Sequence, residues 1–320
     1  MAAETGLKKV KIAAMNPVHD LAVLVAHDEG LFEKEGMDSE ILKTPGTGTL
    51  SGDAQGLQQG VFDRAMWSPF NSGEVDQYRM CEWGVVKRTV EALSNNQRPG
   101  KIVALGAAMS KMAIVTGPNS PIYEPEQLKN TPVAVSTFNG SHFTTLKMLE
   151  GFIRKEEIQT TSGGTMLERL EAIKKGEVAA GNFYEPWISV AQSQGFRVIM
   201  ESHSTRSEAA GDQLDGATLA AMFRAEAVAA GMINSDTKRY THYFIDEVQG
   251  LLEPDDFQHW RLLYAPPVPY TRERFEDTYN WMLGYPELVE AGSTYEQVVD
   301  NRAWDCLGYT SDLADERQLG

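Results

Sequence analysis

Apolar residues recur with a strand-like alternation in "VKIAAM" from Val10 and "VAVST" from Val133, and with helical spacing in the stretches that follow, "HDLAVLVAHDEGLF" and "HFTTLKMLEGFI". Similar strand patterns fall at "DSEIL", "VDQYRM" and "KIVALG" in the first third of the chain, and at "KMAIVTG", "EVAAGNF" and "FRVIME" further on. Helical segments separate them. Strands alternating with helices predict an α/β fold whose sheets are mostly parallel, flanked by helices. The loop-like "SHSTRSEAAGDQLDG" closes the second set, and "GATLAAMFRAEAVAAG" after Asp215 reads as a strand and helix returning to the first. From Ser235 onward the pattern is helical, broken by "YAPPVPY". The expected organisation is a first lobe of residues 1–107 plus 215–320, including a helical C-terminal tail, and a second lobe of residues 108–214.

Two internal correspondences support a pair of similar lobes. "VKIAAMNPVH" and "VAVSTFNGSH" place Asn six residues after the first valine and His three residues later, giving Asn16 with Asn139 and His19 with His142. "GEVDQYRMCEWG" and "GEVAAGNFYEPW" place a glutamate nine residues after the glycine, giving Glu82 with Glu185, each followed by a tryptophan, Trp83 or Trp187. Four polar side chains, His19, His142, Glu82 and Glu185, thus fall where a strand ends and a helix begins. Open α/β sheets bind ligands beyond the carboxyl ends of their strands. Two facing lobes would therefore turn these residues toward one cleft; the alternative is a coincidence of common turn sequences.

Composition narrows the function classes. The chain has 320 residues, 42% of them hydrophobic, and a formal net charge of −16. That is enough apolar material for real cores, and the charge argues against nucleic acid or an anionic membrane as partner. No run of roughly 18 apolar residues occurs, so no membrane-spanning helix is expected. The N-terminal residues lack an apolar leader, which implies a cytoplasmic protein as written, or a periplasmic or extracellular one if a leader was removed. Cys81 and Cys306 fit no metal spacing and read as two free thiols, the alternative being a single disulfide; Cys81 reads as a buried structural cysteine.

Several side chains carry candidate chemistry. In "KTPGTGT", Gly46 and Thr47 offer backbone and hydroxyl donors to an anionic head group, unless the segment is simply a flexible loop. Asn139, Gly140 and Ser141 would present donors at a helix start, either to a ligand or as capping groups. His19 and His142 are ligand donors, proton carriers or helix-start packing residues. Glu82 and Glu185 are general bases, cation ligands or ordinary ion pairs favoured by the helix dipole. Together His19, His142, Glu82 and Glu185 are the candidate catalytic set if the protein is an enzyme. The same four are the candidate metal set, for a divalent ion such as iron. Trp67, Phe70, Trp83, Phe138, Tyr184 and Trp187 cluster around these loops as ligand-lining or core aromatics.

The segments "LAVLVAHDEGLFEKEGMDSEIL", "SPIYEPEQLKNTPVAV" and "LEAIKKGEVAAGNFYEPWISVAQSQGFRVI" resemble the opening helix and second strand, the approach to the second lobe, and the late second lobe of type II periplasmic-binding-protein folds. The resemblance is to the NMT1/THI5-like and SsuA-like group that binds aliphatic sulfonates, nitrate and thiamine precursors. It implies two lobes closing over a small organic molecule, anionic or aromatic, and delivery to an ABC-type permease. The group also includes enzymes, so a cytosolic enzyme acting on a small aromatic or carboxylated substrate is the other expectation. Where the related sulfinate desulfinases place a nucleophilic cysteine after the first strand this chain has Asn16, and the cysteine-rich motif of the pyrimidine synthases is absent.

Overall fold

A computed structural model of the chain describes residues 7–43 and 66–308; Gly46 and Thr47 lie outside the described residues. One sheet of eight strands runs through the molecule: β1 (Lys8–Ala14), β2 (Met37–Lys43), β3 (Gln77–Cys81), β4 (Lys101–Thr116), β5 (Pro132–Val135), β6 (Gln159–Ser162), β7 (Ala180–Tyr184) and β8 (Arg197–Ala210). Their order is β2-β1-β3-β8-β4-β7-β5-β6. Among the described residues, the helices longer than six residues are α1 (Pro17–Asp28), α2 (Glu82–Ser94), α3 (Gly140–Leu149), α4 (Met166–Lys174), α5 (Trp187–Ser193), α6 (Gly216–Ser235), α7 (Thr241–Val248) and α8 (Arg272–Leu283).

Parallel pairs occupy both ends of the sheet, β1 with β2 and β3, and β5 with β6 and β7. The centre is antiparallel. β4 and β8, of 16 and 14 residues, pair with each other along their length; β8 meets β3 through Arg206–Ala210, and β4 meets β7 through Met112–Thr116. Two strands thus cross from one lobe to the other. Their register slips between Leu105 and Met109, where a local irregularity allows the sheet to bend. The larger hydrophobic core is joined by a second, smaller one around Ile114, Leu128, Val133, Val135 and Leu149, under the β5–β7 end.

Three sequence expectations need correction. "KIVALG" and "KMAIVTG" belong to a single strand, β4. "SHSTRSEAA" is strand rather than loop, the second half of β8. Its polar residues Ser204, Arg206, Ser207 and Glu208 are buried, because β8 is hydrogen-bonded on both edges and covered on both faces at this point. Finally, "GATLAAMFRAEAVAAG" holds no strand: Asp215 accepts a hydrogen bond from Thr218 N at 2.8 Å and starts the 20-residue α6 directly. Of the described helices, α6 alone has the length and apolarity of a membrane span, yet 61% of its most apolar window is buried, and it packs on α1 as a core helix.

Candidate functional site

In the first lobe, the turn after β1 is fixed by α1. Asn16 caps that helix, its Oδ1 accepting from His19 N at 3.2 Å. The buried Asp20 carboxylate accepts from Met15 N at 2.8 Å and Asn16 N at 3.3 Å, and lies 3.5 Å from the buried Arg79 Nε. Burial raises the Asp20 pKa, while Arg79 and the two amides pull it back. In the second lobe the equivalent turn follows β5. Ser136 N donates to Ser141 Oγ at 2.9 Å, and the Asn139 carbonyl accepts from His142 N at 2.9 Å and Phe143 N at 3.2 Å. Phe138 N donates to His142 Nδ1 at 3.2 Å. Beneath lies Arg169, wholly buried, donating to Ser136 Oγ at 3.0 Å, to Gly164 O at 3.3 Å and to the Asn182 carbonyl.

The two turns meet. Asn16 Nδ2 donates to Tyr184 Oη at 3.4 Å, and the rings of His19 and Tyr184 are 5.0 Å apart, so the end of β1 touches the end of β7. A Cβ placed on Gly140, at the start of α3, would lie 3.7 Å from Cys81 Cβ and 3.9 Å from Arg206 Nη1. Arg206, 2% exposed, therefore sits between the lobes, with its Nε donating to Ser110 Oγ at 3.3 Å. Ser110 Oγ in turn donates to Val18 O at 3.4 Å. Among the described residues the guanidinium makes no other hydrogen bond.

The junction of the lobes holds a buried positive charge. Burial lowers the Arg206 pKa to about 10, opposed by Cys81, Asp20 and two tyrosines, which leaves the group charged at neutral pH. Burial, then Arg206, hold His19 well below its ordinary value, and burial lowers His142 to about 4, so both imidazoles are neutral. Burial raises the Cys81 thiol pKa, so it stays protonated. At the helix starts Pro17 has no N–H and those of His19 and His142 are taken by Asn16 and Asn139, which leaves the Gly140 and Ser141 N–H groups of α3 without intrahelical acceptors. A buried guanidinium close to the start of α3, beside neutral imidazole, amide and phenol groups, can hold an anion and hydrogen-bond its oxygens.

The second correspondence has a different physical meaning. Glu82, 1% exposed, is bound bidentately by Arg274, Nε to Oε2 at 2.8 Å and Nη2 to Oε1 at 2.9 Å, and Thr278 Oγ1 adds a hydrogen bond at 3.2 Å. Trp83 lies 5.9 Å from the Trp281 ring. Glu185, fully buried, accepts from Arg261 Nη1 at 3.1 Å, from Ser189 Oγ at 2.8 Å and from Ser189 N at 3.2 Å; burial raises its pKa to about 7 against these partners. Trp187 Nε1 donates to Glu247 at 3.2 Å. Each Glu–Trp pair thus fastens its lobe to the C-terminal segment.

Two of the four residues of the candidate metal set are ion-paired. Glu82 and Glu185 are committed to arginines, and among the described residues no group of three or more His, Cys, Asp or Glu is placed to hold a metal ion. The aromatic set also divides. Tyr184 is at the junction of the lobes and Phe138 packs edge-on to His142; Trp83 and Trp187 face the C-terminal segment, Phe70 packs on Tyr78, and Trp67 is half-buried against the main core. Sequence reasoning missed Arg206 and Ser110. The one signal was an arginine and a glutamate inside the serine-rich string after Phe196.

No known family model matches the chain, and no curated protein matches it. Solved structures do. The periplasmic aliphatic sulphonate binding protein SsuA from Escherichia coli superimposes with a TM-score of 0.67 at 16% identity, over 92% of each chain. The periplasmic nitrate-binding protein NrtA from Synechocystis PCC 6803 gives 0.65 at 15% identity, over 96% of this chain and 90% of its own. The desulfurization enzyme DSZB gives 0.57 at 12% identity, over 94% and 99%. With its two crossing strands and its paired strand-to-helix turns, the chain has the two-lobed α/β fold of periplasmic binding proteins.

Proposed function

We propose that this protein binds a small organic anion between its lobes and serves as the solute-binding component of an ABC-type importer. The observation that carries the reading is Arg206, a buried guanidinium 3.9 Å from the position of a Cβ on Gly140, with one hydrogen bond among the described residues. Asp20, whose charge reaches Arg206, is ion-paired with Arg79 instead, and a buried cation without a carboxylate of its own to hydrogen-bond is costly unless something else compensates it. An anion closed between α1 and α3 would do so, with Asn16, His19, Asn139, Gly140, Ser141, His142 and Tyr184 around it. The fold likeness to sulphonate- and nitrate-binding proteins supports the ligand class and the permease partner, and with them a periplasmic location. The NMT1/THI5-like kinship belongs to the same reading, supported by the segments quoted above. So does the division into 1–107 plus 215–320 and 108–214, supported by the register slip between Leu105 and Met109.

The enzyme reading, with His19, His142, Glu82 and Glu185 as acid–base groups, has less support because both carboxylates are ion-paired away from the histidines. The test is calorimetric titration with ethanesulfonate, nitrate and a small carboxylate. At least one should bind saturably and unchanged in composition, with affinity falling about 30-fold or more in Arg206→Met and partly recovering in Arg206→Lys. Absence of binding by all three anions, or binding indifferent to Arg206, overturns the reading.

A further inference from the structure

A crevice of about 460 Å³ lies away from the Arg206 pocket, beside the crossing strand β8. Its walls come from four elements: Glu82 and Trp83 at the start of α2, Lys147 and Met148 of α3, the Ser202–Thr205 stretch of β8, and Arg274 with Asp277 on α8. It is therefore bounded by both lobes and by the C-terminal segment. The α8 wall is fixed at each end. Arg274 grips Glu82 in the first lobe, and Trp281 Nε1 donates to Glu150 Oε2 at 2.8 Å in the second, with Tyr285 Oη on the same carboxylate.

The crevice walls bring two cations, Lys147 and Arg274, together with two carboxylates, Glu82 and Asp277. In a protein of net charge −16, Lys147 and Arg274 face the same space. The Lys147 ammonium stands 5.8 Å from the Trp83 ring centroid and 5.1 Å from that of Trp281, and it forms no ion pair among the described residues. Arg274 directs Nε to Glu82 and Nη2 to Glu82 and Thr205, leaving Nη1 without an acceptor among the described residues. An oxyanion is the group that satisfies an ammonium and a guanidinium edge together. Glu82 and Asp277 on the same walls disfavour a second negative charge. Trp83 and Met148 supply a polarizable apolar surface for a flat body.

We propose that this crevice binds a small monoanionic aromatic carboxylate, its oxyanion on Lys147 Nζ and Arg274 Nη1 and its ring against Trp83 and Met148. Because the occupant touches both lobes, it also biases the angle between them, and through that angle the anion pocket at Arg206. The crevice site stands independently of the function proposed for that pocket.

Benzoate is the probe, followed by the indole N–H resonances of 15N-labelled protein, with Trp83→Phe and Trp281→Phe assigning the signals. The titration is run in the wild type and in Arg206→Met, which disables the anion pocket. Saturable shifts of the Trp83 and Trp281 indoles in both proteins, weakened about tenfold or more by the exposed-site change Lys147→Met and restored by Lys147→Arg, are the expected result. Three results overturn the proposal: non-saturating shifts, shifts as strong in Lys147→Met as in wild type, or shifts that vanish in Arg206→Met. The last would assign the benzoate to the Arg206 pocket alone, so failure of the crevice site and failure of the anion pocket give different patterns.

Discussion

Arg274 closes a two-pronged ion pair on Glu82 across 192 residues of chain, at 2.8 and 2.9 Å. The pair ties α8 to the point where β3 turns into α2, immediately after Cys81 of the interlobe pocket. Glu185 and Arg261 do the same for the end of β7. The C-terminal segment is thus fastened to both lobes at equivalent places. The repeated Gly-Glu-Val spacing reflects this: Gly73 and Gly176 both adopt positive φ, at 82° and 73°, to end a helix and feed a strand whose last turn presents the glutamate.

Removing the cation should expose the cost of that buried carboxylate. Arg274→Met leaves Glu82 with Thr278 as its remaining hydrogen-bond partner among the described residues, and we expect a loss of about 1–3 kcal/mol by urea unfolding, moderated because Arg274 is itself 43% exposed. Glu82→Gln should be milder. In a double-mutant cycle the pair should show a coupling of at least about 0.5 kcal/mol. Additive single and double variants would mean that the two side chains do not depend on each other.

Glu247 should make stability pH-dependent in an unusual direction. Its Oε2 is buried without a hydrogen-bond partner, and burial pushes its pKa up to about 8, offset in part by the Trp187 N–H. The native state therefore keeps this proton between the ordinary 4.5 and about 8, where the unfolded chain has lost it. More protons bound in the native state means that stability falls as pH rises through that window. Glu247→Gln should raise the melting temperature above about pH 8 and leave it nearly unchanged near pH 4.5. Equal shifts at both ends would show that the carboxyl is already ionised in the fold.

Parts of this arrangement are legible in the chain because they are local. Asn16 and Asn139 follow matched strands at matched offsets, and each precedes its helix as the strand alternation and the breaking Pro17 or Gly140 predict. The glutamates at 82 and 185 are equally legible as helix-start acids. Their partners are not, since Arg274 and Arg261 come from distant segments that only the folded chain brings near. Arg206 is harder still. It lies in a polar string that looks like a loop, and its burial follows from β8 having a strand on either side, with Ser110 arriving from 96 residues away. Polar residues buried at a site break the apolar alternation by which strands are recognised.

Affinity for a permanently charged anion should be flat between about pH 6 and about pH 8.5 and decline only as Arg206 begins to lose its proton. The grounds are that Arg206 titrates near 10, His142 near 4 and His19 well below its usual range. Titration with ethanesulfonate across this range is the check. Affinity that climbs on acidification through about pH 6.5 would mean that an imidazole charges in the pocket, contrary to its burial.

Two glycines distinguish a ligand contact from a packing contact. A Cβ on Gly140 would meet Cys81 and Arg206 at 3.7–3.9 Å, ordinary contact distances, so Gly140→Ala should fold with stability within about 1 kcal/mol of wild type. The added methyl would nevertheless stand in the gap between the lobes, beside the guanidinium. Anion affinity should therefore fall about tenfold or more, by the loss of roughly one charged hydrogen bond. A Cβ on Gly181 would come within 2.9 Å of the Arg169 side chain, which is fully buried and hydrogen-bonded to three oxygens and the Met166 sulfur. Gly181→Ala should cost about 1–3 kcal/mol through overpacking, with binding lost only as far as the Ser136 turn moves. Wild-type anion affinity in Gly140→Ala would place the ligand away from the start of α3, and with it the role assigned to Arg206 would fail.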